Sequence, residues 1–420
     1  MVRYQVNILH RATILFILFV PAFPELKLTC AQTNEKPDQN LLDLNSATNL
    51  AISNHPDIRK IGWLEDKALA DGFQQSRLVN PQFGSTANEI GNDGQGGQYG
   101  FFLQRNLVRN NRVEQIQNAA DWEARSLKSR SLIIQRKVAF ETAQSFVQIE
   151  FLERKNDLTE KKLTELRKIK KIAEDLMKGG EVAPVDLLRL DIEVSQTLLQ
   201  SKKLKTTRQR FMSLLKLSTG SAELPKLDFN FDQEVNLVLH SSKEREVDWD
   251  SHPSIRQLTD LIEAKKWRFQ VANARQTPDW QLQTSVNYDT GTEDIFGGFQ
   301  LNIPWMVNDR KTGLIGSAAA DVQILNETRN ATRRKLEQKW INLSSRREGL
   351  IAEITNLDTV VIPQTDQISQ QTIALFHAGE TDHKAVKEAV MMGYNRREKR
   401  LDLAQQLLLV EIESETLTVE

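Results

Sequence analysis

Apolar and polar side chains alternate along residues 280–288. Trp280, Leu282, Thr284, Val286 and Tyr288 fall on one face, while Gln281, Gln283, Ser285 and Asn287 fall on the other. That two-residue period predicts a strand with two unlike faces. A turn-forming segment follows (DTGTED, 289–294). The alternation then resumes through Phe299, Leu301, Ile303, Trp305 and Val307, so a hairpin is predicted over about 279–307. A second hairpin is predicted over about 81–108, from PQFGSTANEI, the glycine-rich GNDGQGG and QYGFFLQRNLV. Its alternation is poorer, with Arg105 on the apolar side.

Between the hairpins the period lengthens. Residues 113–178 contain neither proline nor glycine, and as one helix they would extend ~99 Å. Leu158, Leu163, Leu166, Ile169, Ile172 and Leu176 carry an apolar stripe along it. Further on, Leu336, Trp340, Leu343, Leu350, Ile354, Leu357 and Val361 form a heptad seam. Pro363 should kink that helix, because it lacks an N–H. Gly179, Gly180 and Gly379 permit tight antiparallel returns into helices over 185–216 and 385–416. Helices over 49–78 and 254–276 precede the two hairpins, and residues 218–249 read as turn-like and irregular.

The order of these elements is doubled. His55-Pro56 returns as His252-Pro253 and Pro81 as Pro278, each 197 residues later; Arg112 returns as Arg310 after 198, and Gly180 as Gly379 after 199. The chain therefore divides into repeat 1 (32–217), a joining segment (218–251) and repeat 2 (252–420). The predicted tip turns lie at about 178–184 and 377–384. A repeat this long is one unit of several elements, not a short-period solenoid.

Composition supports helices: only 11 prolines and 19 glycines occur in 420 residues. With 55 basic against 56 acidic residues, no basic excess points to nucleic acid. At the N-terminus, Arg3, His10 and Arg11 precede an apolar run at 12–20 that is too short to span a bilayer, which needs about 20 residues. It reads as a signal peptide (1–31) cleaved after Ala31, with Thr29 and Ala31 at the −3 and −1 positions. The alternatives are lipidation at Cys30, against which Lys27 stands where an apolar residue is wanted, or a chance match. Cys30 is the only cysteine, so the cleaved chain has no disulfide and no cysteine metal site.

The strands have the length of tilted membrane-spanning strands, about 9–11 residues. They fit a barrel with lipid outside and water inside, or a small sheet packed on soluble helices. Four strands cannot close a barrel, since the smallest have about eight. Several chains would have to share one.

The layout over residues 41–416 resembles the TolC family, the outer-membrane channels of tripartite efflux pumps and type I secretion. The segments LVNPQF, LQRNLVRNNR and IPWMVNDRKTG are similar to the cobalt–zinc–cadmium resistance (CzcC-like) branch. There the junction reads Ile-Pro-Leu, Asp-Arg, Gly. Ile303-Pro304, Asp309-Arg310 and Gly313 match it, with Trp305 and Met306 replacing smaller aliphatics. The resemblance implies a mainly α fold with a small β part. Long antiparallel coiled-coil hairpins would carry four strands per chain into a shared 12-stranded barrel of a homotrimer. It implies an outer-membrane location with a tube reaching into the periplasm. The expected partners are outer-membrane lipid, a periplasmic adaptor and an inner-membrane pump of the RND type. It places the barrel-to-helix junction at Arg112, Arg310 and Gly313. The adaptor-docking tip falls at Lys178, Gly179, Gly180 and Glu181, and at Ala378, Gly379 and Glu380. The aspartate that helps close the aperture falls at Asp186; in repeat 2 that place holds Ala385, with Glu388 one turn on as a substitute. Gln281, Gln283, Asn287, Gln300 and Asn302 would line the lumen.

No catalytic constellation and no cofactor motif is present: there is no nucleophile-elbow serine, phosphate-binding glycine loop or His-Glu-x-x-His. His377 and His383 flank the second tip turn without partner ligands at nearby helical spacing, which favours a solvated polar tip over a metal site. His55 and His252 suit helix starts, and the basic run LRKIKKIAEDLMK suits a solvated face or an adaptor contact. Three functions fit. One is a passive efflux duct, for divalent heavy-metal ions in particular. The second is a related channel for drugs or secreted proteins. The third is a periplasmic coiled-coil scaffold without a pore.

Overall fold

The computed structural model describes residues 41–88, 97–108, 111–221, 223–241, 247–378 and 380–418. The predicted signal segment, the glycine-rich turn at 91–96 and Gly379 lie outside them. The chain forms two compact units. A sheet unit comprises Pro56–Arg136 and Asp248–Lys339. A helical unit comprises the described parts of Met1–His55, Lys137–Val247 and Trp340–Glu420. The mainly α class with a small β part agrees with the sequence. Among the described residues, no helix is long and apolar enough to cross a membrane.

In the sheet unit, helix α2 (Pro56–Ser76) leads to strands β2 (Gln82–Asn88) and β3 (Gln98–Leu107), then to α3 (Arg112–Lys178), whose second half belongs to the helical unit. Repeat 2 supplies α6 (Pro253–Ala274), β5 (Trp280–Asp289), β6 (Ile295–Asn302) and the first part of α7 (Thr312–Asn356). The strands form one antiparallel sheet in the order β2-β3-β5-β6. The repeats therefore meet at β3 and β5, where Gln98 faces Asp289 and Leu107 faces Trp280. Helices α2, α3, α6 and α7 all connect to the strands at the Leu107–Trp280 end.

Two sequence expectations are corrected here. The apolar alternation to Val307 does not extend the strand: β6 stops at Asn302. Pro304 has no N–H to offer a ladder and restricts the residue before it. The single helix expected over 49–78 is two, α1 (Leu44–Asn54) and α2. Pro56 breaks it, and His55 is extended at φ −69°, ψ 123°.

Helix α2 packs against α3 at Gly72. A Cβ there would overlap the Ala120 Cβ, while the Ala120 Cα stays at an ordinary 3.6 Å. Gly72→Ala is expected to destabilise the sheet unit by about 1–3 kcal/mol, and Ala120→Gly to restore most of that loss in the double variant. Thermal melts of the four proteins check this.

In the helical unit, α3 continues to the first tip and returns as α4 (Pro184–Thr219). The joining segment is not irregular. It contains β4 (Lys226–Leu227), parallel to β1 (Leu41–Leu42), and helix α5 (Phe231–His240). Asn230 caps α5 by accepting from the Gln233 N–H at 3.3 Å. Phe231, Val235 and Val238 bury one face of it, and Phe229 meets Phe146 of α3 edge-on at 5.8 Å between ring centres. Of the repeat 2 seam, Leu343, Leu350, Ile354 and Leu357 are buried. On α3 the stripe drifts, so Ala173 is buried and Ile172 is exposed. Before Pro363 the helix widens into a π-turn at Leu357–Val361, then continues as α8 (Ile362–His377). The wider turn, closed by the Ile362 N–H on the Leu357 carbonyl, accommodates the missing donor. Helix α9 (His383–Thr418) returns from the second tip.

Candidate functional site: sheet faces, junctions and tip

Strand register sorts the side chains into two faces. Phe101, Val286 and Gly297 share one row of the first face, and Leu103, Thr284 and Phe299 share the next. Tyr99, Ile295, Leu301 and Phe83 lie on the same side. These are large apolar groups left in the open: Phe299 is 71% and Ile295 74% exposed. Arg105 stands among them, opposite Leu282. The other face brings together all five polar residues expected to line a lumen. Gln281 faces Asn302, Gln283 faces Gln300, and Asn287 lies on the same side. Gln82, Gln98, Gln104 and Thr86 of repeat 1 extend this surface, with Thr86 donating to Asn287 at 3.3 Å. It is polar apart from Phe102, opposite Ser285, and Phe296, opposite Asn287, and uncharged apart from Asp289 at the hairpin end. Sequence reading missed the repeat 1 members because Arg105, Gly84 and Gly100 blurred the alternation.

Among the described residues, both passages from strand to helix use one residue in the left-handed conformation, Asn111 (φ 49°) and Lys311 (φ 59°). Arg112 pairs with Asp279, the residue before β5, so the start of α3 is fastened to the neighbouring repeat's strand. Arg310 is instead exposed. In repeat 2 the Lys311 N–H donates to Asp309 Oδ1 at 3.0 Å, and its amine pairs with the same carboxylate. Gly313 lies in the first turn of α7 with open space where a Cβ would be. Asp279 and Lys311 had no sequence signal beyond their neighbourhood.

At the first tip, Gly180 is left-handed (φ 83°). The Glu181 N–H reaches the Leu176 carbonyl (3.0 Å) and the Gly180 N–H that of Met177 (3.0 Å), which closes the helix end in a Schellman motif. The Glu380 N–H reaches Leu375 (2.9 Å) in the same six-residue pattern at the second tip. Lys178, Gly179, Glu181, Ala378, Glu380 and Glu388 are exposed. Val182 turns inward onto Ile169, Ala173 and Leu190, with Val390 of α9 packed against them.

Asp186 is the buried polar centre of this region. Its carboxylate accepts from Lys384 Nζ at 3.0 Å and from Arg189 at 3.4 Å, although its side chain is only 11% exposed. The hydrogen bond from Lys384 holds its carboxyl below the ordinary range against the opposing effect of burial. Lys387 pairs with Glu193 at 3.2 Å one turn further on. The two coiled-coil hairpins are thus tied within one chain by α4 acids and α9 bases, and Asp186 meets Lys384, not Glu388. Ala385 contributes its backbone, donating to Asp382 Oδ1 (2.9 Å) to start α9. Among the described residues, no group of three His, Cys, Asp or Glu could hold a metal ion. His252 caps α6, its Nδ1 accepting from the Ser254 N–H at 3.2 Å. Burial, with Arg136 and Lys339 nearby, lowers its pKa to about 4.

No protein-family model and no curated protein sequence matches the chain. Solved structures do. The chain is similar to CusC, known from structures of folding and transmembrane channel formation, with a TM-score of 0.73 at 14% identity over 90% of this chain and 92% of that one. It is similar to the outer membrane protein VceC of Vibrio cholerae, with a TM-score of 0.70 at 16% identity over 90% and 97%. It is also similar to the open state of the Neisseria gonorrhoeae MtrE outer membrane channel, with a TM-score of 0.68 at 12% identity over 89% and 88%. The chain has the TolC-like channel fold.

Proposed function

We propose that this protein is the outer-membrane channel of a tripartite efflux system, a passive duct from the periplasm to the outside. The observation that carries this reading is the two-faced sheet. Its apolar side is exposed, its opposite side is mostly polar and nearly uncharged, and its edge strands β2 and β6 have no further strand partner among the described residues. Sheet edges and exposed apolar faces of this kind need cover. Successive strands alternate in direction, so β6 of one copy would meet β2 of the next antiparallel. Three copies would close a 12-stranded barrel with lipid outside and amide-lined water inside. The helical hairpins would extend the duct into the periplasm, where the two tips meet an adaptor that links it to an RND-type pump. Such a channel works by shape, lumen polarity and an aperture that opens on docking, not by a tight substrate site.

For cargo we propose divalent heavy-metal ions, on the likeness of the Ile303-Pro304 … Asp309-Arg310 … Gly313 junction to the CzcC-like branch. Amide groups at Gln281, Gln283 and Gln300 suit hydrated cations, which need oxygen contacts without tight capture.

Electron microscopy of the detergent-solubilised protein tests the channel: a rod without a barrel would overturn it. A deletion strain grown on metals and on drugs tests the cargo, and unchanged metal tolerance would exclude metal export. The tip offers a third measurement. Asp186→Asn removes the charge that Lys384 and Arg189 hold. In planar bilayers the resting conductance is expected to rise several-fold, and Lys384→Ala should behave alike. An unchanged resting conductance in both would place closure elsewhere.

A further inference from the structure

Arg105 is the one charged residue on the apolar face of the four strands. It is exposed, and no carboxylate pairs with it among the described residues. Its position is specific. It lies two residues before Leu107, the end of β3 from which the helices depart, a distance of about 7 Å along the strand. Trp280 lies diagonal to it on the same face, and Trp305, 91% exposed, follows β6 at the same rim.

A guanidinium in the middle of an apolar band would be strongly disfavoured, but the cost falls steeply toward the interface. An arginine stem can bridge about 7 Å, laying its methylenes on Leu282 and Leu107 while the head leaves the hydrocarbon. What it meets there must offer negative oxygens in a planar, forked geometry, and a phosphodiester does so. Aromatic rings at the same level suit the boundary between acyl chains and headgroups.

We infer that Arg105, with Trp280 beside it, is a docking site for the phosphate headgroup of an anionic phospholipid at the periplasmic rim of the barrel. The site rests on the channel reading, because only a membrane-embedded sheet brings lipid to this face. It fixes the depth of the barrel in the bilayer, as a headgroup anchor on a strand whose hydrophobic alternation is otherwise the weaker of the two repeats.

The test uses the full-length protein with vesicles of phosphatidylcholine, alone or mixed with phosphatidylglycerol. Flotation with the neutral vesicles reports insertion. Mass spectrometry of lipid retained after re-extraction from the mixed vesicles reports the site. The wild-type protein is expected to retain phosphatidylglycerol about fivefold above its bulk ratio. Arg105→Gln, which removes a charge from the apolar face and so inserts at least as well, should fall to the bulk ratio. Arg105→Lys should keep part of the enrichment. Insertion of the wild type with no enrichment, or equal enrichment in Arg105→Gln, overturns the lipid site and leaves the channel standing. Failure of the wild type to float with either vesicle overturns the channel reading and the lipid site together.

Discussion

Phe299→Lys is expected to abolish stable membrane insertion, while Gln300→Lys, one residue along, is expected to insert normally. The two side chains point to opposite faces of β6. Phe299 shares a row with Leu103 and Thr284 midway along the strands and is 71% exposed, whereas Gln300 pairs with Gln283 on the polar face. A lysine at the lipid-facing midplane costs about 2–4 kcal/mol per strand, and the ring's own transfer into lipid is lost as well. If three chains share the barrel, the cost is incurred three times. On the polar side the same ammonium stays hydrated, and its effect is electrostatic: cation conductance should fall relative to anion conductance. Membrane fractionation and bilayer selectivity measurements check both halves. Equal insertion of the two variants would mean that the sheet does not separate lipid from water. The helical content of both should match the wild type by circular dichroism, since neither residue packs on a helix.

Arg347→Ala is expected to be the most damaging single change in the helical unit. Arg347 of α7 donates from Nε to Glu411 of α9 at 2.8 Å, and from Nη2 to the Val238 and Ser241 carbonyls at 3.1 and 2.9 Å. Those carbonyls belong to the end of α5, where helix carbonyls lack intrahelical donors. One side chain therefore closes α5 and joins it to α7 and α9. Its own exposure is 20%, and that of Glu411 only 7%. Removing one partner of a buried charge pair typically costs about 3–5 kcal/mol, because the remaining charge loses its compensation. Arg347→Lys should recover part of the loss, since it keeps the charge but not the fork that reaches three acceptors at once. Denaturant titration followed by circular dichroism measures this. A loss under about 1 kcal/mol would show that solvent replaces those contacts, as it does for exposed pairs.

The limits of the sequence are visible in particular residues. The heptad seam through Leu343, Leu350 and Ile354 was legible because helical period is a local property, set by which face must be buried. The first tip turn was legible because few residues other than glycine accept the left-handed backbone that Gly180 adopts. Helix α5 was missed because it is short and its start depends on Asn230, whose capping role is clear only once Phe231 and Val235 have a core to enter. The strand end at Asn302 was missed because Ile303, Trp305 and Val307 continue the apolar alternation after the ladder has stopped at Pro304.

By itself the sequence determined the doubled order of elements, the periods of strands and helices, the first glycine turn and the unlike faces of the repeat 2 hairpin. Each depends on side chains within a few positions of one another. Only the tertiary structure decided that the repeats join through β3 and β5, that Arg112 is fastened to Asp279, and that Asp186 is held by Lys384. These partners lie far apart along the chain. Local period constrains which face a residue occupies, but not which distant residue stands opposite it; that is settled when the packed helices and the strand register bring particular charges within reach.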